Sequence, residues 1–281
     1  MIRDIVIRDR AGTDSRPELA AVERVECTAW LDWYSATPPG VAERLGVRAA
    51  DHGAMTLLAV REVPSAAFNR AVGLGVRQPV TEAALDKATA WLQAHANPAW
   101  VLQVSPATPD TMLPWLEQRH FRPFGAGWSK FQRGPRHIPA HPLGTAIEVR
   151  PVEPRDAATF GAVLQAGLEL PAPFAAWFAA LAGRPGWRLY LAYDGGAPVA
   201  AAAMFLDGGW GWLGMDATLP ACRGHGAQTA LLSRRVAAGV VGFSAETAQP
   251  PMGQEAAYPS YRNFRRAGFT AAYIRAHYRA A

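Results

Sequence analysis

One segment near the end of this 281-residue chain constrains its fold more than any other. Residues Gly211–Val236 read as a strand that ends at Thr218, a proline at position 220, a glycine-rich turn over Arg223–Gln228, and a helix rich in alanine and leucine. Glycines allow a sharp turn and a close approach of the backbone to a ligand. The first N–H groups of a helix lack partners within it and lie at the positive end of its dipole. The segment therefore predicts an anion site suited to a pyrophosphate, with the charge of Arg223 beside it.

The spacing of the glycines separates this segment from two common phosphate loops. A P-loop needs Gly, four residues and then Gly-Lys-Ser/Thr, and this chain lacks both the spacing and the lysine. A Rossmann fingerprint needs three glycines and an acid about 20 residues later. Only Gly224 and Gly226 are present, and the placement of Glu246 does not outweigh the missing glycine. Both loop classes are therefore disfavoured.

The segment resembles the acyl-CoA loop of the GNAT superfamily of N-acyltransferases. The family pattern is Arg/Gln-x-x-Gly-x-Gly/Ala, after a strand and a proline and before a helix with small residues and leucines. Arg223 and Gly226 match it, Pro220 precedes it, and Thr229–Leu232 continue it. Gln228 occupies the last Gly/Ala position and departs from the pattern, so its side chain must point away from the pyrophosphate or help to hold it. The resemblance implies acetyl-CoA as the co-substrate and a binding set of Asp216, Ala217, Thr218, Arg223, Gly224, His225, Gly226, Ala227, Gln228, Ser260 and Asn263.

The resemblance extends over most of residues 147–281. Ser260–Phe269 is similar to the family's late helix and its closing Gly-Phe. In the family, the strand before the loop separates from its neighbour, and the pantetheine arm binds the exposed backbone. By position this backbone is Asp216–Thr218. His225 lies inside the loop, where its backbone N–H is the useful group.

The candidate catalytic residues are Tyr261 and Glu246. Many family members place a tyrosine five residues before the closing phenylalanine, as the acid for the leaving thiolate, but here that position is Phe264. Tyr261 lies three residues earlier, nearly on the same helix face, and is the expected substitute; the alternative is that it only packs. Glu246 ends the strand Val240–Thr247 and is expected to bind or deprotonate the attacking ammonium. The alternative is a solvated strand-end acid.

The chain reads as two similar halves. Gly134–Thr145 holds three prolines and two glycines without helical or strand periodicity, which indicates a break. Each half closes with strand, helix, strand, strand, helix, strand. Trp115–Phe121 matches Phe264–Phe269 when one extra residue is allowed, with His120 at the place of Gly268. A duplicated unit of about 140 residues is the economical explanation.

The first half resembles the same fold in a degenerate form. It reaches its helix through Val72–Pro79 without a pyrophosphate loop. The resemblance implies an α/β (α+β) protein of two tandem GNAT-like domains, each a mixed, mostly antiparallel sheet flanked by helices. The expected organisation is a structural domain over 1–136, a linker over 137–146 and an acetyl-CoA-binding domain over 147–281. The predicted elements are Ile2–Arg8, Pro17–Trp30, Met55–Val60, Ala71–Val76, Thr81–Ala94, Trp100–Val104, Thr111–Gln118 and Trp128–Arg133, then Ile147–Val152, Pro154–Leu168, Trp187–Tyr193, Pro198–Leu206, Gly211–Thr218, Gly226–Ala238, Val240–Thr247, Ser260–Ala267 and Phe269–Tyr278.

Composition excludes several other classes of protein. Half of the residues are apolar, which is enough for a sizeable core. The formal net charge of +5 is spread over both halves without a basic run, so nucleic-acid binding is not expected. No uncharged stretch reaches the length of a membrane span, and the N-terminus lacks the apolar block of a signal peptide, so a cytoplasmic location without membrane attachment is expected. Cys27 and Cys222 form no disulfide framework, and no Cys/His cluster has metal-ligand spacing, so no metal is expected.

The leading functional expectation is transfer of an acetyl group from acetyl-CoA to a primary amine. The resemblance implies direct attack of the amine in a ternary complex, without an acyl-enzyme. The expected acceptor is a small molecule or a peptide, and the protein is expected to be a monomer or a homodimer. One alternative is a non-catalytic module that senses acyl-CoA or serves as an interaction scaffold. Another is a nucleotide-dependent enzyme, which would require ATP or NAD to displace CoA.

Overall fold

The computed structural model describes residues 16–106, 108–134, 146–237 and 240–281. They divide into two compact units. Unit 1 consists of the described residues up to Ser35 together with Ala42–Lys130 and Ala271–Ala281. Unit 2 consists of Ala36–Val41 and the described part of Phe131–Thr270. Among the helices that the structure describes, none has both the length and the apolar character of a membrane span.

Unit 1 places helices against a sheet with the strand order β1-β2-β3-β4-β12. Its elements along the chain are α1 (Arg16–Ser35), α2 (Pro39–Leu45), β1 (Val47–Asp51), β2 (Thr56–Val60), β3 (Arg70–Val72), α3 (Glu82–His95), β4 (Val101–Val104), α4 (Met112–Gln118), β5 (Phe121–Pro123) and β6 (Trp128–Arg133), with β12 (Thr270–Ala280) added from the chain end. Strands β3 and β4 are parallel, whereas β1 and β2, β2 and β3, and β4 and β12 pair antiparallel. Leu85, Ala88 and Leu92 recur at helical spacing on α3 and are fully buried against the sheet, which explains why this segment folds as a helix.

Unit 2 has a second sheet with the order β7-β8-β9-β10-β11. Its elements are β7 (Glu148–Pro151), α5 (Ala157–Gly167), α6 (Pro173–Ala179), β8 (Trp187–Asp194), β9 (Ala197–Asp207), β10 (Trp210–Thr218), α7 (Ala227–Val236), β11 (Gly242–Ala248) and α8 (Pro259–Arg266). Only β10 and β11 pair in parallel among these neighbours. Ala200 and Ala202 of β9 are fully buried under Leu231 of α7. Their small side chains let the helix lie close to the strand and fix its N-terminus above the sheet.

The last strand of the second half belongs to unit 1 from Ala271 onward, and the last strand of the first half is divided between the units. β12 follows α8 along the chain, yet Ala276–Tyr278 pair antiparallel with Leu102–Val104 of β4 in unit 1. Conversely, Phe131–Arg133 of β6 belong to unit 2, where β6 neighbours β11. The expected linker 137–146 lies almost entirely in residues 135–145, outside the described part of the chain, so the expected domain boundaries stay a prediction.

The internal repeat extends to the backbone conformation. His120 follows α4 with φ 60°, and Gly268 follows α8 with φ 82°. Each donates its N–H to the carbonyl three residues earlier, on Glu117 and Arg265 respectively. A left-handed residue commonly ends a helix in this way, and it is usually glycine. His120 thus keeps the geometry of the matching glycine without its conformational freedom.

Most predicted elements are confirmed, with boundaries that differ by a few residues. The predicted strand Ala71–Val76 is shorter, because Gly73 turns the chain with φ 70° directly after β3. Four further elements were not predicted from the sequence, and each has seven residues or fewer: α2, α6, β1 and β5. Such short elements show too few periods for a pattern to be recognised. The predicted strand Ile2–Arg8 lies outside the described residues.

Candidate functional site

Strands β10 and β11 form a fork in unit 2. They pair for four residues, and the pairing ends with Leu213 opposite Ala245. A bulge in β10 follows directly, where Met215 adopts a left-handed φ of 57°. A bulge bends its strand and re-aims the backbone that follows. Ala217 and Thr218 pair with β9 on one side, and the backbone of Asp216–Thr218 has no partner in the β11 ladder on the other.

The loop between β10 and α7 has the backbone that its glycines permit. Gly224 and Gly226 have φ values of 89° and 87°, which other residue types rarely adopt. A Cβ added at Gly224 would meet no atom within 4 Å, so this side of the loop is open. Gly226 caps α7 without a side-chain hydrogen bond, which leaves the first N–H groups of the helix available to a ligand.

Arg223 ties this loop to the C-terminal end of α5. Its Nη2 lies 3.1 Å from the carbonyl oxygen of Gly167, and its Nε lies 3.4 Å from that of Thr218. A cation is stabilised at the negative end of a helix dipole. The Glu169 carboxylate is 3.4 Å from the same Nη2, but both side chains are more than half exposed, so this ion pair contributes little. Half of the Arg223 side chain remains open to solvent beside the loop.

The Asp216 carboxylate forms an ion pair with a buried arginine. Both of its carboxylate oxygens lie 2.6 Å from the terminal nitrogens of Arg235 on α7. The Arg235 side chain is fully buried and also donates to the carbonyl of Ala203. Removing one partner of such a pair leaves an uncompensated buried charge. The Asp216 side chain is therefore structural, and the residue offers its backbone to the fork.

Gln228 joins α7 to α8 through its side-chain amide. Its Nε2 lies 3.1 Å from the hydroxyl oxygen of Ser260. Its Oε1 lies 2.8 Å from Nδ2 of Asn263. The sequence left open whether this side chain points away from the pyrophosphate or helps to hold it; in the structure both ends of its amide are bound to α8.

These features line one cleft of about 540 Å³, which is within the usual size range of ligand pockets. Ten of the eleven residues expected to bind the cofactor line it, and His225 does not. The structure therefore brings these ten residues to one location. The cleft is lined by Gly167, Asp216, Ala217, Thr218, Cys222, Arg223, Gly224, Gly226, Ala227, Gln228, Thr229, Leu231, Pro259, Ser260, Arg262, Asn263 and Arg266.

The cleft has a positive character that the sequence analysis underestimated. Arg262 and Arg266 of α8 line it together with Arg223. Asp216, the only acid among the described residues of the lining, is paired with Arg235. The signal was the spacing of four residues between the two α8 arginines, which places them on one helix face. In the described part of the chain, no group of three or more acidic, histidine or cysteine side chains is arranged to hold a metal ion.

The two candidate catalytic residues lie outside this lining. The ring of Tyr261 packs edge-on against Phe131, with 5.0 Å between centroids. Phe264, at the position where the family often has tyrosine, is buried and stacks on the same ring at 5.2 Å. Glu246 is half-buried and directly follows Ala245, the last residue of β11 that pairs with β10. Its position is therefore the mouth of the fork.

Comparisons with known proteins identify the fold. No family model and no curated protein matches this chain. Among solved structures, a GCN5-related N-acetyltransferase from Kribbella flavida is 16% identical with a TM-score of 0.56, over 95% of this chain and 96% of that one. Another from Sphaerobacter thermophilus is 22% identical with a TM-score of 0.53, over 69% of this chain and 65% of that one. A tandem GNAT protein from the clavulanic acid biosynthesis pathway is 17% identical with a TM-score of 0.53, over 92% and 95%.

Proposed function

The chain has the tandem GNAT fold, and we propose that it is an N-acetyltransferase that moves the acetyl group of acetyl-CoA to a primary amine. The observation that carries this proposal is the coincidence of the β10–β11 fork with a positively charged cleft at the N-terminus of α7. A forked sheet offers unpaired backbone groups to an extended, amide-containing arm. An open helix N-terminus with arginines beside it suits a diphosphate. Acetyl-CoA combines these two features in one molecule.

Each part of the site then has a role in the reaction. The loop around Gly224 and Gly226 takes the diphosphate, and the backbone of Asp216–Thr218 takes the pantetheine arm. The amine nitrogen attacks the thioester carbonyl carbon, the carbon–sulfur bond breaks, and the thiolate leaves with a proton. Positioning the thioester and polarising its carbonyl by a backbone N–H account for most of the expected acceleration. Glu246 is the proposed base for the ammonium, and Tyr261 is the proposed acid for the thiolate.

Calorimetric titration with CoA tests the binding half of the proposal. We expect one site per chain, because only unit 2 has the glycine loop. Gly226→Glu should abolish binding, since it places bulk and negative charge against the diphosphate and forces a non-glycine residue to φ 87°. Two equivalent sites would show that the first half is not degenerate, and displacement of CoA by ATP or NAD would favour a nucleotide-dependent enzyme.

One observation favours a second function, a non-catalytic module that binds acyl-CoA. No unpaired acidic or phenolic side chain lines the cleft in the part of the chain that the structure describes. Turnover of labelled acetyl-CoA against amines, amino acids, aminoglycosides and peptides separates the two functions. Transfer to any acceptor supports the enzyme, whereas tight CoA binding without transfer supports the module. Tyr261→Phe should lower kcat at least tenfold if its hydroxyl protonates the thiolate; an unchanged kcat assigns Tyr261 to packing on Phe131.

A further inference from the structure

The Gln228 side chain forms a bridge between α7 and α8 through its hydrogen bonds to Ser260 and Asn263. This bridge indicates a function for Gln228 at the position where it departs from the loop pattern. Gln228 is the second residue of α7, Ser260 is the second residue of α8, and both line the cleft. The N-terminal ends of two helices are therefore linked to each other at the cleft. Asn263 lies three residues after Ser260, on the same face of α8, and binds the other end of the Gln228 amide.

The hydrogen bonds of the bridge determine what Ser260 can offer to a ligand. The Asn263 Nδ2 can only donate, so the oxygen of the Gln228 amide faces Asn263 and its nitrogen faces Ser260. The Ser260 oxygen thus accepts a hydrogen bond from Gln228. Its own proton has to be donated in another direction, and among the described residues none accepts it. Because Ser260 lines the cleft, that direction includes the ligand.

The surroundings of Ser260 indicate the chemistry of this ligand group. The open N-terminus of α7 lies at the cleft that Arg262 and Arg266 also line, and Nη1 of Arg262 donates to the carbonyl of Ala256. Donors and positive charge together suit an oxyanion that has acceptors only. A phosphate oxygen therefore fits the Ser260 proton better than an amide group, which brings its own donor.

We propose that Gln228 is a positioning residue, which orients the Ser260 hydroxyl toward a phosphate oxygen of the bound acyl-CoA and holds α8 at the distance this contact requires. The proposal rests on the proposed function, since it takes acyl-CoA as the ligand. It explains why a long polar side chain occupies a position where the family pattern has glycine or alanine. Gln228 touches α8, and it acts on the ligand through Ser260.

The test is a double-mutant cycle on CoA affinity. Gln228→Met keeps the length of the side chain and removes both hydrogen bonds, and we expect it to weaken CoA binding about tenfold. Ser260→Ala should have an effect of similar size. Because Gln228 acts through Ser260, the double variant should be no weaker than either single variant. Ser233→Ala, on α7 but outside the cleft lining, is the matched control and should bind as the wild type does.

Two further measurements separate positioning from a general loss of structure. In Gln228→Met, KM for acetyl-CoA should rise about tenfold while kcat stays within twofold. Without CoA, the melting temperature of Gln228→Met should lie within a few degrees of that of Ser233→Ala. S-acetylpantetheine lacks the diphosphate, so the variant and the wild type should use it equally well. Asn263→Ala frees one end of the Gln228 amide and should reproduce part of the affinity loss if Gln228→Met fails to fold.

The outcomes distinguish this proposal from the one on which it rests. Additive effects of Gln228→Met and Ser260→Ala, or no effect of either, would overturn the positioning role. An equal penalty with S-acetylpantetheine would overturn the assignment to the phosphate. If the wild-type protein still binds CoA when one of these outcomes is observed, the proposed function stands and only the role of Gln228 is overturned. A wild-type protein that does not bind CoA overturns both.

Discussion

Arg275 of β12 binds Glu26 of α1 with both terminal nitrogens, at 2.9 and 2.8 Å, across 249 positions of the sequence. The same guanidinium donates to Glu23, and Lys130 and Arg70 also pair with Glu26. All of these side chains are at most 1% exposed. Burial alone would raise the pKa of Glu26, but Arg275, Lys130 and Arg70 hold it well below its ordinary value. The network therefore fastens the last strand of the chain to the first described helix of unit 1.

The first prediction concerns this network. Arg275→Met leaves the carboxylates of Glu23 and Glu26 with too little positive charge in a buried site, and we expect the free energy of unfolding to fall by about 3–5 kcal/mol. Urea denaturation measures the change. Arg150→Gln removes an arginine from the exposed pair with Glu148 and should leave the urea midpoint unchanged. A loss no larger in Arg275→Met than in this control would contradict the structural role of the network.

The second prediction is that a fragment covering residues 141–281 does not fold on its own. The fragment retains β12 but lacks β4 and β5, its pairing partners. Tyr273 and Arg275 would lose Glu23 and Glu26, and unit 2 would lose β6 beside β11. Exposed strand edges and unpaired buried charges favour aggregation. Expression and size-exclusion chromatography check this, and a soluble fragment with full CoA affinity would refute it.

The third prediction concerns His277. Its Nε2 lies 2.9 Å from Nε2 of Gln103, whose Oε1 accepts from Arg275. Gln103 therefore donates, and His277 must be neutral at that nitrogen. Burial, with Arg70, Arg275 and Arg279 nearby, lowers the pKa of His277 from 6.5 to about 4.

Between pH 6.5 and 4, His277 is protonated in the unfolded chain but neutral in the folded chain. The free energy of unfolding therefore falls as the pH drops through this window, and it is retained above pH 6.5. Between pH 7.5 and 5 this group should cost about 2 kcal/mol of unfolding free energy. Urea titrations over this range should show the loss in the wild type and a smaller slope in His277→Gln. Parallel slopes for both proteins would rule the mechanism out. The lowered pKa of Glu26 makes the stability depend on pH only below about 4.5, the ordinary value for glutamate, which is outside the pH range of this experiment.

The fourth prediction uses the two cysteines as reporters of the cleft. Cys222 is half-buried and lines the cleft, whereas Cys27 is buried. Burial, with Glu23 and Glu26 nearby, raises the pKa of Cys27 to about 12, so its reactive thiolate is scarce at neutral pH. Iodoacetamide should modify Cys222 alone, and saturating CoA should slow the reaction at least several-fold. Mass spectrometry of the digested protein measures both rates. Modification of Cys222 at the same rate with and without CoA would place the ligand elsewhere.

The fifth prediction concerns the proposed base. Glu246→Gln keeps the size of the side chain and removes its basicity, so kcat at neutral pH should fall at least tenfold, within the range that general bases contribute. The Kd for CoA should change less than twofold, because Glu246 does not line the cleft. Glu255→Gln, in the following 3-10 turn, is the control with an equal change of charge. If both variants lose the same activity, the effect is one of local charge and Glu246 is not the base.

Much of the site was predictable because its determinants are local. The steric freedom of glycine explains the loop at Gly224 and Gly226, and a proline at position 220 ends the strand before it. The helical spacing of apolar residues determines where α3 and α7 lie against their sheets. These properties act over a few residues, so they can be recognised in the sequence without knowing what lies nearby in space.

The partners of polar side chains were decided by the tertiary structure alone. Gln228 violates the loop pattern in sequence, yet in space it meets Ser260 and Asn263, which lie 32 and 35 residues further along. Nothing in the sequence indicates a partner for the Asp216 carboxylate, yet the fold places Arg235 against it. A charged or amide side chain has no preferred partner in the sequence; it takes the one that the packing of helices and strands brings within hydrogen-bond distance.

The placement of β12 shows the same division. Its alternating pattern determined that it would be a strand, because period-two burial is a local property. The local pattern did not determine which strands β12 pairs with, since a free strand edge can accept any strand whose faces match. In unit 1, β12 pairs with β4, and Tyr273 and Arg275 of β12 bind Glu23 and Glu26 of the first described helix. The sequence alone determined the longer elements and the glycine loop, and the tertiary structure decided which strands β12 joins, because that choice depends on residues far away in the sequence.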